Sequence, residues 1–141
     1  MRPDRFTQLL LTAARTIPGV SRAEQIAEDG RAKRPFLVAV EAGGRTTRWQ
    51  VVATSAPGDR YSEPAGAPKL GEKPAMPATG PAEAGSPEHL EAALIAAVLE
   101  ADAGGIAAVD LYSQRDPAPA IPHGATIAFH GGAKIYLNHV R

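Results

Sequence analysis

The chain has 141 residues, no cysteine and a formal net charge of zero. Two halves of about 50 residues would each bury too little surface to stand alone, so the length suits one domain or two small halves sharing a core. The missing cysteine excludes disulfides, thiolate catalysis and Cys-based zinc sites. No run approaches the roughly 18 apolar residues of a membrane-crossing helix, so a cytoplasmic protein with no membrane partner is expected.

Residues 4–16 are predicted to form a helix. Pro3 fits its first turn, and Asp4 complements the positive end of the helix dipole. Phe6, Leu9, Leu10 and Ala13 recur at three- and four-residue spacing, which makes one apolar face, and Pro18-Gly19 ends the helix. Residues 20–28 are a strand candidate, followed by a basic loop with Arg31, Lys33 and Arg34. A hairpin comes next, Phe36 to Glu41 and Arg45 to Thr54 around Gly43-Gly44. A Gly-Gly pair supplies the positive φ that a tight two-residue turn requires. That turn sets Val40 against Thr47, Val38 against Trp49 and Phe36 against Val51 on an apolar face. Glu41, Ala39 and Leu37 then oppose Thr46, Arg48 and Gln50 on a wetter one.

Residues 55–85 carry Pro57, Pro64, Pro68, Pro74, Pro77 and Pro81 and show no periodicity, which reads as a flexible, Pro/Gly-rich linker. A second helix is predicted over 87–102, with Ser86 as its cap, Pro87 in its first turn and Gly104-Gly105 at its end. Strand candidates follow at 106–113, 125–130 and 133–140, with Gly131-Gly132 as a second hairpin turn.

The same landmarks thus come twice in the same order. Pro3-Asp4-Arg5-Phe6 lies over Pro87-Glu88-His89-Leu90, Gly19-Val20 over Gly105-Ile106, and Gly43-Gly44 over Gly131-Gly132. The expected fold is α+β: an internally duplicated helix plus three-stranded antiparallel sheet, αβββ–linker–αβββ. The repeats would be 1–54 and 86–141, packed as one pseudo-twofold domain with both helices on one face of a joined sheet, which removes two exposed strand edges. Residues 1–60 carry ten Lys/Arg against six Asp/Glu, +4, and residues 61–141 carry five against nine, −4, so the halves are electrostatic opposites. The Ala/Arg/Gly/Pro bias points to a high-GC bacterial or phage genome.

If the second turn has two residues, Thr126, Ala128, Ile135 and Leu137 face the core and Ile127, Phe129, Tyr136 and Val140 face outward. An apolar outer face needs cover from a partner. The leading expectation is therefore a small non-enzymatic module that binds another protein, or a second copy of itself, through Ile127, Phe129, Tyr136 and Val140. The alternative is a nucleic-acid binder using Arg31, Lys33, Arg34, Arg45 and Arg48 around Trp49, although Trp49 falls on the core face. A third reading is an enzyme with its site at the repeat interface. No catalytic residue, metal site or cofactor is assigned. His130 and His139 lack a third ligand, Asp110, His130 and Ser113 form no recognisable triad, Glu24 and Asp110 read as solvated strand residues, and the Gly pairs are turns rather than a phosphate loop.

Overall fold

The computed structural model describes residues 1–26, 36–60, 63, 67–78 and 85–140. The basic loop with Arg31, Lys33 and Arg34 lies outside them. Two helices, α1 (Pro3–Ala14) and α2 (Pro87–Ala101), accompany six strands: β1 (Val20–Ile26), β2 (Leu37–Ala42), β3 (Arg45–Thr54), β4 (Ile106–Leu111), β5 (Gly124–Phe129) and β6 (Lys134–Val140). The strands form one sheet in the order β1-β2-β3-β6-β5-β4, and every neighbouring pair is antiparallel.

Why the helices start where they do is local chemistry. Pro opens each, where a missing N–H costs nothing, and an acidic residue sits in each first turn. Ser86 caps α2 by accepting a bond from His89 N at 3.2 Å. At the far end of α2, Asp102 Oδ2 accepts from Gly104 N and Ile106 N, both at 3.0 Å, and turns the chain directly into β4.

Both helices cover one face of the sheet. α1 lies over β1 to β3, and α2 over β4 and β5. Phe6, Leu10, Leu90, Leu94 and Val98 from the helices share one core with Val38, Val40, Trp49, Ile127, Ile135 and Leu137 from the strands. Trp49 is fully buried, with its indole N–H donating to Thr47 Oγ1 at 2.8 Å. α2 is apolar almost all round, with Leu90 to Ile95 buried without interruption. Such a helix needs cover on its far side as well.

Part of that cover comes from the Pro-rich segment. Gly71 N donates to Gly104 O at 2.9 Å, Lys73 Nζ reaches Leu99 O at 3.0 Å, and His130 Nε2 lies 2.9 Å from Glu72 O. Gly71 leaves room for the His130 ring, which would have to move if a Cβ stood there, 2.6 Å away. Residues 56–60 and 63 are held at α1: Arg2 donates to Asp59 Oδ1 and Arg60 O at 2.9 Å and to Glu63 O at 2.6 Å. The stretch expected to be a flexible linker therefore lies, in its described parts, against both helices. Lack of periodicity in sequence does not mean lack of anchors, because these bonds use backbone carbonyls and single side chains.

The first hairpin has the register read from its Gly-Gly turn: Val38 faces Trp49, Val40 faces Thr47, and Val51 N donates to Phe36 O. The second hairpin differs. Its loop has three residues, His130 to Gly132, closed by Phe129 N donating to Ala133 O at 3.0 Å. Ile127 accordingly faces Ile135, and Ala125 faces Leu137. The extra loop residue shifts β5 by one position and turns its side chains over. Ile127 and Phe129, expected on the outer face, are core residues, 0% and 7% exposed. Thr126 and Ala128 take the outer positions instead. Tyr136 and Val140, on β6, do lie on the outer face, opposite Val52 and Arg48 of β3.

Candidate functional site

The sheet face away from the helices is not uniform: Leu37 on β2, expected on the wetter face, is 0% exposed, whereas Val52 on β3 lies open. The rows of this face follow from the strand registers. Val52, Tyr136, Thr126 and Asp110 lie side by side across β3, β6, β5 and β4, and the next row holds Gln50, Asn138 and Gly124. Val52 is 41% exposed, and Tyr136, Asn138 and Val140 are half-buried.

On this face one group of side chains is joined by hydrogen bonds. After β4 the chain makes a single 3-10 turn, Tyr112–Gln114, which folds the Tyr112 ring over the start of β5. The ring fits because residue 124 is glycine. A Cβ there would stand 2.2 Å from Leu137 O and 2.9 Å from the ring, and its φ of +146° is one that side-chain-bearing residues rarely adopt. Tyr112 Oη donates to Asn138 Oδ1 at 3.1 Å, and Thr126 Oγ1 donates to Tyr112 Oη at 3.4 Å. Arg115 lies 4.5 Å above the Tyr112 ring centroid. It donates through Nε and Nη2 to Asp110 Oδ2 at 2.9 and 2.7 Å, and through Nη2 to Thr126 Oγ1 at 3.2 Å. The bonded Asp110 carboxylate raises the Arg115 pKa above its ordinary value. An arginine held between a carboxylate and an aromatic face has little rotamer freedom left to lose on binding.

The patch is also tied down from the opposite side. Glu91, on α2 and 1% exposed, accepts from Gly124 N at 2.8 Å, from Ser113 N at 3.3 Å and from Ser113 Oγ. One buried carboxylate thus holds both ends of the 113–124 excursion that carries Arg115. Sequence reading missed Glu91. The signal was a carboxylate inside a helix with apolar residues on nearly every side, where burial demands hydrogen-bond donors.

Other clusters place the expected residues apart. His123 Nδ1 is 3.8 Å from Glu91 Oε2, and the His123 and His139 rings lie 6.3 Å apart, with His139 against Trp49. Glu91 stands between the Ser113 hydroxyl and the imidazole, so no serine–histidine nucleophile pair is formed. Asp110 is bound to Arg115, Ser113 to Glu91, and His130 to Glu72 O, three separate places. Glu24 and Asp110 sit on β1 and β4, the opposite edges of the sheet. Of the basic residues, Arg45 is exposed beside the first turn, and Arg48 is half-buried on the outer face between Ala39 and Val140. The burial of Trp49 removes the aromatic that a base would have stacked on. No helix among the described residues is long and apolar enough to cross a membrane.

No family model, curated protein or solved structure matches this chain.

Proposed function

We propose that the protein is a non-enzymatic binding module whose sheet face away from the helices receives another protein over β3, β6, β5 and β4. The observation that carries this reading is the hydrogen-bonded Tyr112–Arg115–Asp110–Thr126–Asn138 patch beside exposed Val52 and half-buried Tyr136. Tyrosine and arginine dominate the energetics of protein contacts, and side chains fixed beforehand lose little entropy on docking. The face is also balanced in charge: Arg22, Arg48, Arg115 and Lys134 stand against Glu24, Glu41 and Asp110. That favours a protein partner over a nucleic-acid backbone, which calls for a basic surface. A cysteine-free chain has no disulfide to form and suits the cytoplasm as its working compartment.

Internal duplication gives this face its extent. Several observations support it. The strand order reads alike from both edges, and β2 and β5 have the same succession of buried and half-buried residues. Each edge strand carries an irregularity after its first residue, between Val20 and Arg22 and between Ile106 and Ala108. The offset between matching elements rises from 84 for the helices to 86 for the edge strands and 87 for β2 and β5. Two edges brought together at β3–β6 make one broad face from two narrow ones.

The test places a photo-crosslinking residue at position 52 in the producing cell, with position 100 on α2 as a control. A discrete crosslinked partner at 52, absent at 100 and lost with Tyr136→Glu, is the expected result. The same crosslinks at both positions, or none at 52, refute the reading. A doubled native mass that Tyr136→Glu returns to that of a single chain would identify the partner as a second copy.

A further inference from the structure

The described arms of the Pro-rich segment enclose a space at one pole of the molecule. One arm, residues 56–60, is clamped to the amino end of α1 by Arg2. The other, residues 67–73, is bonded to the carboxyl end of α2 and to the β5–β6 turn. Between them lies a cleft of about 670 Å³. That volume is in the range of about 300–1,000 Å³ typical of small-molecule sites. Leu9, Leu70 and Phe129 give it an apolar lining, and Arg5, Arg60 and Lys69 line it with positive charge.

The balance of uncommitted charge decides the kind of ligand. Three carboxylates also line the cleft: Asp59, Glu63 and Asp102. Asp59 is bound by Arg2, and Asp102 accepts from two backbone N–H groups. Glu63 alone is not engaged in this way. Arg5, Arg60 and Lys69 are exposed and form no ion pair among the described residues. Three cations against one carboxylate, over a lining that includes Leu70 at 59% exposure, leave unmet both a positive field and an apolar surface.

We propose that this cleft binds a small amphiphile with a single anionic head, a carboxylate or phosphate on an apolar body. The head meets Arg5, Arg60 and Lys69, and the body lies on Leu9, Leu70 and Phe129. Both walls are hydrogen-bonded to the helices, so the cleft is formed before the ligand arrives. The proposal is independent of the sheet-face reading, since the two surfaces share no residue.

Isothermal titration calorimetry on the full chain tests it, with dodecanoate and dodecyl phosphate as probes and dodecanol, acetate and inorganic phosphate as comparisons. One equivalent of either anionic amphiphile is expected to bind. Dodecanol should be weaker by about tenfold or more, and the short anions should give no heat, because each supplies only half the recognition. The Arg5→Gln/Lys69→Gln variant should lose about tenfold in affinity with its urea midpoint unchanged, and Arg22→Gln, at the far edge of the sheet, should lose none. Equal affinity for dodecanol, unchanged affinity in the double variant, or no heat from either anionic amphiphile would overturn the proposal. Sedimentation with phosphatidylglycerol vesicles, lost in the double variant, would give the head to a bilayer lipid. Binding of the free amphiphile without sedimentation would give it to a molecule in solution.

Discussion

Glu91 offers the sharpest check on how the outer patch is held. Replacing it with alanine leaves Gly124 N and Ser113 N without their acceptor, and the first of these bonds is buried. An orphaned buried donor costs roughly 1–3 kcal/mol, so the two together with the lost side-chain packing come to about 3–5 kcal/mol. Total stability for a domain of this size is about 5–15 kcal/mol, so the variant keeps a fold but a weakened one. Glu91→Gln retains the volume and one acceptor oxygen, which can still serve Gly124 N, and should cost about 1–2 kcal/mol. Trp49 is the single tryptophan and lies in the core, so its fluorescence reports unfolding directly. With a urea slope of about 2 kcal/mol per molar, the midpoint should fall by about 2 M for alanine and by about 0.5–1 M for glutamine. Ser113→Ala, which removes a donor and orphans nothing on the backbone, should shift it least. An alanine variant within about 0.5 M of the parent, or a glutamine variant as weak as alanine, would refute the account.

Phe129→Ala should cost about 3–5 kcal/mol in urea denaturation because it empties a core position, whereas Tyr136→Ala on the outer face should cost about 1 kcal/mol or less. Equal losses would restore the outward reading of Phe129. Gly124→Ala should lower stability by more than about 3 kcal/mol, since its Cβ would meet backbone oxygen at a strained φ; a variant of parental stability would remove the stated reason for glycine there. The Arg2 guanidinium, bonded to Asp59, holds that carboxyl below the usual aspartate range. A lowered folded-state pKa contributes stability that is present above the unfolded value and is lost as pH falls through the folded one. Carboxyl-carbon NMR should therefore show Asp59 titrating low in the parent and at an ordinary value in Arg2→Gln; an unchanged midpoint would mean that Arg2 is not the cause.

The two hairpins show how far the sequence could be read. Gly43-Gly44 allowed only a tight turn, and the faces of β2 and β3 followed from it. Gly131-Gly132 looked the same, but His130 joins the loop, where its backbone N–H donates to Gly105 O and its imidazole lies 2.9 Å from Glu72 O. These partners are distant in sequence, and local pattern does not report such contacts. Helix starts were legible because Pro3, Pro87 and Ser86 act on their own turns. The outer patch was not, because Tyr112, Arg115 and Asn138 are adjacent only once β4, β5 and β6 have paired. The cleft was hidden for a similar reason: its walls are residues with no periodic neighbours, fixed by Arg2, Gly71 and Lys73 singly.

The seam between β3 and β6 has a consequence for synthesis. The sixth strand in chain order is a middle strand of the sheet, and the third strand waits for it. Until β6 is made, β3 presents a row of unpaired amides and carbonyls beside the uncovered Trp49 side of the growing core. A nascent chain stalled before residue 134 is thus a sheet with an open template edge, and it can be completed by its own last strand or, in error, by a neighbour's.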